Sequence, residues 1–121
     1  MRIAKDLVAA AATPVVLGIL AEGESYGYAI LQKVADLSEG ELEWSDGMLY
    51  PLLHRLERGG HVESEWHTSP TGRPRKHYRL SAQGAAMLAE HHRQWRVVGD
   101  VLDKLWSEQD RSAPGLALGG A

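Results

Sequence analysis

The stretch Ser45–His67, SDGMLYPLLHRLERGGHVESEWH, changes its period halfway through. Leu49, Leu52, Leu53 and Leu56 recur at steps of three and four, the single apolar stripe of a helix packed on a core. Gly47, Tyr50, Pro51, His54 and Arg58 lie on the opposite side, with Met48 and Arg55 flanking. Pro51 is tolerable only near a helix start, because an interior proline removes a hydrogen bond and crowds the carbonyl four residues back. The helix is therefore expected to begin at about Asp46 or Gly47 and to end on Gly59-Gly60. Beyond the glycines Val62, Ser64 and Trp66 alternate with Glu63, Glu65 and His67, the period of a strand.

Working outward, TSPTGRPR (68–75) reads as a turn-rich loop and KHYRLS (76–81) alternates again, so the two strands form a hairpin. Upstream, Thr13 and Pro14 predict the N-cap and first residue of a core helix over TPVVLGILAEG, closed by Gly23. The preceding IAKDLVAAAA reads as a short separate helix or arm. Ser25 is read as the cap of a further helix running to Gly40, with Ile30, Val34 and Leu37 on its apolar side. Downstream, Ser81 caps a long helix over 82–109, on which Leu88, His91, Trp95, Val98, Leu102 and Leu105 follow alternating steps of three and four, a coiled-coil-like seam. The tail from 110 to 121 is rich in Gly, Ala and Pro and is expected to be disordered.

The whole chain has 121 residues, a net charge of −3, 44% hydrophobic and 24% charged residues. That is one ordinary globular domain by size and composition. The absence of cysteine excludes a disulfide framework and thiol chemistry, and fits a reducing compartment. Asp6, Pro14 and Glu22 interrupt the apolar N-terminus, which falls short of the roughly 18 residues of a membrane span. A cytoplasmic location is expected. Charge placement is more informative than its sum. Residues 22–46 carry seven acids against Lys33, whereas 54–79 carry Arg55, Arg58, Arg73, Arg75, Lys76 and Arg79, with four histidines, against Glu57, Glu63 and Glu65. A basic patch in an acidic chain is the footprint of an anion site such as nucleic acid.

Three helices, a hairpin and a long last helix make a mainly α fold with a small β-hairpin, the layout of a winged helix-turn-helix domain with an appended dimerisation helix. The domain is expected over 1–81, with an N-terminal helical arm, and the dimerisation helix over 82–109. In such proteins the recognition helix enters the major groove with its N-terminal residues on the base edges. Ser45, Gly47, Met48, Tyr50, Pro51, His54, Arg55 and Arg58 are its candidate DNA contacts, the helix N-terminus itself favouring a phosphate. Arg73, Arg75, Lys76 and His77 are candidates on the wing, suited to flanking phosphates or a narrow minor groove.

YGYAILQKV (26–34), GMLYPLLHRLERGGHVESEW (47–66) and GRPRKHYRLSAQG (72–84) together resemble the PadR family of bacterial transcriptional regulators, in its short form with one C-terminal helix. The resemblance spans residues 13–105 and rests on three motifs in order. It implies a homodimer on an inverted-repeat operator in double-stranded DNA, usually a repressor, released by a phenolic or other aromatic effector. Met48 stands where the family commonly has Thr, removing a hydroxyl that could bond a phosphate.

Other readings of the same residues lead elsewhere. Trp95 and Trp106 fall on similar faces of the last helix and could line an effector pocket at the dimer seam or simply pack it. Trp44 reads as a core or turn anchor. His91 and His92 point about 100° apart on a helix and cannot chelate together, so no metal site and no cofactor is expected. No Gly-rich phosphate loop or nucleophile elbow is present, and no enzymatic activity is expected. The rival functions are a winged-helix protein-interaction module and a small-molecule-binding dimer with no DNA role.

Overall fold

The structure, a computed structural model, describes residues 3–112. Its elements are α1 (Lys5–Ala21), β1 (Ser25–Tyr26), α2 (Gly27–Leu37), α3 (Asp46–Arg58), β2 (Val62–Thr68), β3 (Pro74–Leu80) and α4 (Ala82–Ser112). The strands form one antiparallel sheet in the order β1-β3-β2. This is the winged-helix architecture expected, mainly α with a small sheet and a long last helix.

The core is built from the stripes that periodicity picks out. Val16, Leu17 and Leu20 of α1, Ile30 and Val34 of α2, and the four leucines of α3 close over Val62 of β2 and Tyr78 of β3. Tyr78 is 1% exposed, and burial pushes its phenol above the usual value. Trp44 packs against this core, and its indole Nε1 is buried without a hydrogen-bond partner.

Several local expectations give way to tertiary context. Thr13 is not a cap: α1 is one continuous helix through Pro14, and the separate arm is its first two turns. Ser25 does not cap α2 but lies in β1, where Ser25 pairs with Tyr78 and Tyr26 with His77. α2 starts from Tyr26 with no side-chain cap and ends at Leu37, short of Gly40, which sits at φ +84° after the last turn. Pro74 and Arg75 belong to β3 instead of the loop, since a proline is admissible as the first residue of a strand.

Ser81 does cap α4: its Oγ accepts from the Gly84 N–H at 3.0 Å while its O–H donates to the Gly60 carbonyl at 2.6 Å. The compact unit that contains the core runs through Ala89, taking in the first turns of α4, where Met87 and Leu88 pack on the core. From Glu90 the helix forms a second unit and continues to Ser112, past the expected end at 109. Residues 110–112, read from the sequence as part of the tail, belong to the last turn of α4, and the rest of that tail lies outside the described residues.

Candidate nucleic-acid interface

α3 is placed by its buried side and its cap. The Ser45 Oγ accepts from the Met48 N–H at 3.3 Å, and Leu49, Leu52, Leu53 and Leu56 are all at most 5% exposed. That anchorage turns Tyr50, Pro51, His54, Arg55 and Arg58 to solvent. Gly47 is open: an added Cβ would meet only the Ser45 Oγ, at 3.8 Å. Pro51 lies within the helix and leaves the Gly47 carbonyl without its helical donor, one more polar group at this end of α3. Met48 turns the other way, partly buried against the core. It lines a cavity of about 850 Å³ with Ile3, Val8, Leu42 and Trp44. A methionine fits where its side chain meets apolar neighbours, which accounts locally for the missing hydroxyl.

Tyr50 is only partly free. Its ring lies over the backbone of Gly27 at the start of α2, so close that any Cβ there would collide with the phenol. The absent side chain of Gly27 is what lets α2 and α3 meet with the Tyr50 phenol between them.

The wing alternates cleanly. Val62, Ser64, Lys76 and Tyr78 face α3 and the core, while Glu63, Glu65, His67, Arg75, His77 and Arg79 occupy the outer side. Glu57 of α3 joins helix to wing: it accepts from the Ser64 Oγ at 2.5 Å and pairs with Lys76 Nζ at 3.4 Å. The Ser64 hydrogen bond, aided by Lys76, holds the Glu57 carboxyl below its ordinary value of 4.5 despite partial burial. A depressed carboxylate contributes stability above its unfolded pKa and loses it as pH falls through the folded one. Glu57→Gln should therefore cost about 1 kcal/mol at neutral pH, a figure kept small by solvent screening. The gap between variant and wild type should close by about pH 3, as urea denaturation at both pH values would show. A constant gap would remove the ionised Glu57 from the wing's attachment.

The basic residues therefore divide. Arg55, Arg58 and Arg73 are exposed, and among the described residues none has an ion-pair partner. Arg75 is exposed too, its guanidinium 4.4 Å over the Tyr26 ring. Lys76 is held by Glu57, and His77 sits on the outer side beside Glu24 and His67. Arg79 binds Glu63 at 3.1 Å and Glu65 at 3.0 Å, so one cation offsets half the charge of those two acids on the face away from α3. The wing tip is shaped by Ser69, whose N–H donates to the Arg73 carbonyl at 2.8 Å while its Oγ accepts from the Arg73 N–H at 3.2 Å. Gly72 at φ +86° completes the turn.

Periodicity alone passes over two residues of this region. Trp66 follows Ser64 on the α3-facing side yet is 66% exposed, a large aromatic standing at the wing. Glu57 reads in sequence as an ordinary helical acid, since its partners come from the hairpin. On α4, Trp95, Val98 and Leu105 are exposed, while His91 and Leu102 are partly covered. Trp95 and Trp106 stand on one face about 16 Å apart along the axis, so one chain does not bring them together. No helix among the described residues is long and apolar enough to cross a membrane.

Comparison with known proteins places this arrangement among relatives. The model of the transcriptional regulator PadR-like family matches residues 16–90. A transcriptional regulator of Mycobacterium tuberculosis is 40% identical over 73 residues, 60% of this chain and 64% of that one. A PadR family transcriptional regulator from Eggerthella lenta superposes with a TM-score of 0.73 at 36% identity, covering 84% of this chain and 86% of the other. A transcriptional regulator from Clostridium thermocellum gives a TM-score of 0.76 at 25% identity, over 83% and 97% of the two chains.

Proposed function

The chain belongs to the PadR-like family of transcriptional regulators, and on that premise we propose that it is a homodimeric repressor binding an inverted-repeat operator through two winged helix-turn-helix domains. It is a regulator and not an enzyme. The observation that carries the DNA reading is the division of its cations. Arg55, Arg58 and Arg73, beside Tyr50 and His54 or at the wing tip, are exposed and free of carboxylates, while Lys33, Lys76, Arg79 and Arg93 are paired within the chain. A free, clustered set of arginines on an acidic protein is what phosphate neutralisation needs.

In this reading Tyr50 and His54 meet base edges from the first turns of α3, and Ser45, Gly47 and Pro51 bring the helix N-terminus to a phosphate. Arg55 and Arg58 lie along the backbone, and Arg73 and Arg75 hold the flanking phosphates or minor groove. Lys76 and His77 serve the wing's structure, and Met48 serves the core. Residues 1–81 are the DNA-binding part and 82–109 the dimerisation helix, setting two recognition helices to half-sites roughly 34 Å apart or a multiple of that. An aromatic effector acting at Trp95 and Trp106 would release DNA by favouring a dimer geometry that misplaces the second helix. The protein works in the cytoplasm, where its DNA is.

Fluorescence anisotropy on a duplex from upstream of its own gene, beside a scrambled duplex and at two salt concentrations, tests the reading. Tyr50→Ala and His54→Ala should each lose about tenfold or more on the operator and little on the scrambled duplex. Arg73→Ala should weaken both alike and lower the salt slope by about one. Absence of binding to either duplex at low salt would move the function to a protein partner.

A further inference from the structure

Three ligand-type side chains that are far apart in sequence converge on the outer face of the wing. Glu24 stands just before β1, His67 near the end of β2 and His77 in the middle of β3. The two imidazoles are stacked, with ring centroids 4.2 Å apart and planes 8° from parallel. His67 Nε2 and His77 Nδ1 lie 3.7 and 3.4 Å from one oxygen of Glu24, and all three atoms lie within 4.8 Å of one another. Both nitrogens are shielded from solvent, and neither has a hydrogen-bond partner. The contacts with Glu24 are Coulombic approaches without hydrogen-bond geometry.

Buried ring nitrogens are ordinarily satisfied, and two orphans facing one carboxylate need a common partner. We propose that this partner is a divalent transition-metal ion of the zinc class, bound by Glu24 Oε2, His67 Nε2 and His77 Nδ1. Imidazole and carboxylate are ligands such ions accept, at about 2.0–2.2 Å, and two ligands at a tetrahedral angle then stand roughly 3.4 Å apart. The Glu24 distances already match that spacing. Glu65 closes the surroundings, its Oε1 3.9 Å from His67 Nε2 and bonded to Arg79, so a solvent molecule is left to fill the fourth position. Arg75, the nearest unpaired cation on this face, is drawn aside over the Tyr26 ring. The ion ties the segment leading into β1 and α2 to both wing strands, on the side of the sheet away from α3.

The site is independent of DNA binding, so it can be tested alone, on the full-length, tag-free protein stripped with chelator and titrated with Zn2+ by calorimetry and with Co2+ by visible absorption. The expected result is one ion per chain, with a cobalt band stronger than and shifted from that of the aqueous ion. His67→Gln and His77→Gln should each weaken binding at least tenfold, and Glu24→Gln should weaken it severalfold, with unchanged circular dichroism. His91→Gln should bind as wild type does. Absence of binding at millimolar Zn2+, an aqueous-like cobalt spectrum, or equal binding by the His67→Gln, His77→Gln double variant would each overturn the assignment.

Discussion

Gly84→Ala is expected to cost the fold about 3 kcal/mol and to lower the melting temperature by about 10 °C. A Cβ at Gly84 would collide with the carbonyl oxygen of His61 and stand 2.8 Å from Leu80 Cδ1 and 3.0 Å from the His61 carbonyl carbon. A side-chain tip could rotate aside, but the His61 carbonyl cannot. It accepts from the Ser81 N–H at 3.1 Å where β2 begins, and the same Ser81 caps α4. The first turn of α4 would have to lift off the sheet, and the Ser81 contacts with Gly60 and Gly84 would go with it. Helix propensity runs the other way by about 1 kcal/mol, because alanine is the better helix former, so the steric cost must exceed that gain. Gly18→Ala is the matched control. Gly18 lies inside α1 with nothing within 4 Å of an added Cβ, so that variant should gain up to about 1 kcal/mol. Thermal and urea denaturation of both variants decide the matter. Equal stability for Gly84→Ala would mean that α4 does not seat against His61.

Val98→Asp should leave the first compact unit folded and convert the proposed dimer to monomer. On the second unit Trp95, Val98, Val101, Leu105 and Trp106 are between 37% and 55% exposed. With Leu102 they form a stripe about 140° wide on α4, while Arg96, Asp100, Asp103 and Lys104 fall outside it. A helix that exposes so broad an apolar stripe is stable in water only against a partner surface, and a second copy of the same helix supplies one. In a two-fold pairing Val98→Asp brings in a carboxylate from each chain, and neither has a cation on the stripe. Sedimentation equilibrium should show monomer at concentrations where wild type is dimer. Operator affinity should fall about 100-fold or more, because two linked half-site contacts become independent. Lys104→Asp, on the polar side, should change neither. A Val98→Asp protein that remains dimeric would place the interface elsewhere and leave the stripe to another partner.

Much of this molecule is legible in its chain because the informative residues act locally. The four leucines of α3, the Ser81 cap, and the switch to alternation after Gly60 each fix structure within a few residues. Steric and hydrogen-bonding preferences at that range survive almost any tertiary setting. The faces of α3 follow from its period, so Tyr50, His54 and Arg58 could be placed at the surface from spacing, and Arg73 from the Gly/Pro-rich turn that holds it.

What tertiary structure decided is whatever depends on a distant partner. Thr13-Pro14 has every local mark of a helix start, yet packing of Ala12, Val16 and Leu17 carries α1 straight through it. Two residues, Ser25 and Tyr26, are too few to show a period and become a strand only because β3 offers them an edge. Lys76 and His77 look like further cations of a DNA-binding wing. One is instead drawn to Glu57 on α3, and the other to Glu24 and His67 across the sheet. Gly27 and Gly84 read as unremarkable glycines until Tyr50 and the His61 carbonyl are seen to fill the space their side chains would need. Sequence by itself determined which faces are apolar, where α3 and α4 begin, and that cations gather near α3. Which of those cations stay free, and which histidines meet, depends on strand pairing between residues remote in the chain, and no local preference encodes that.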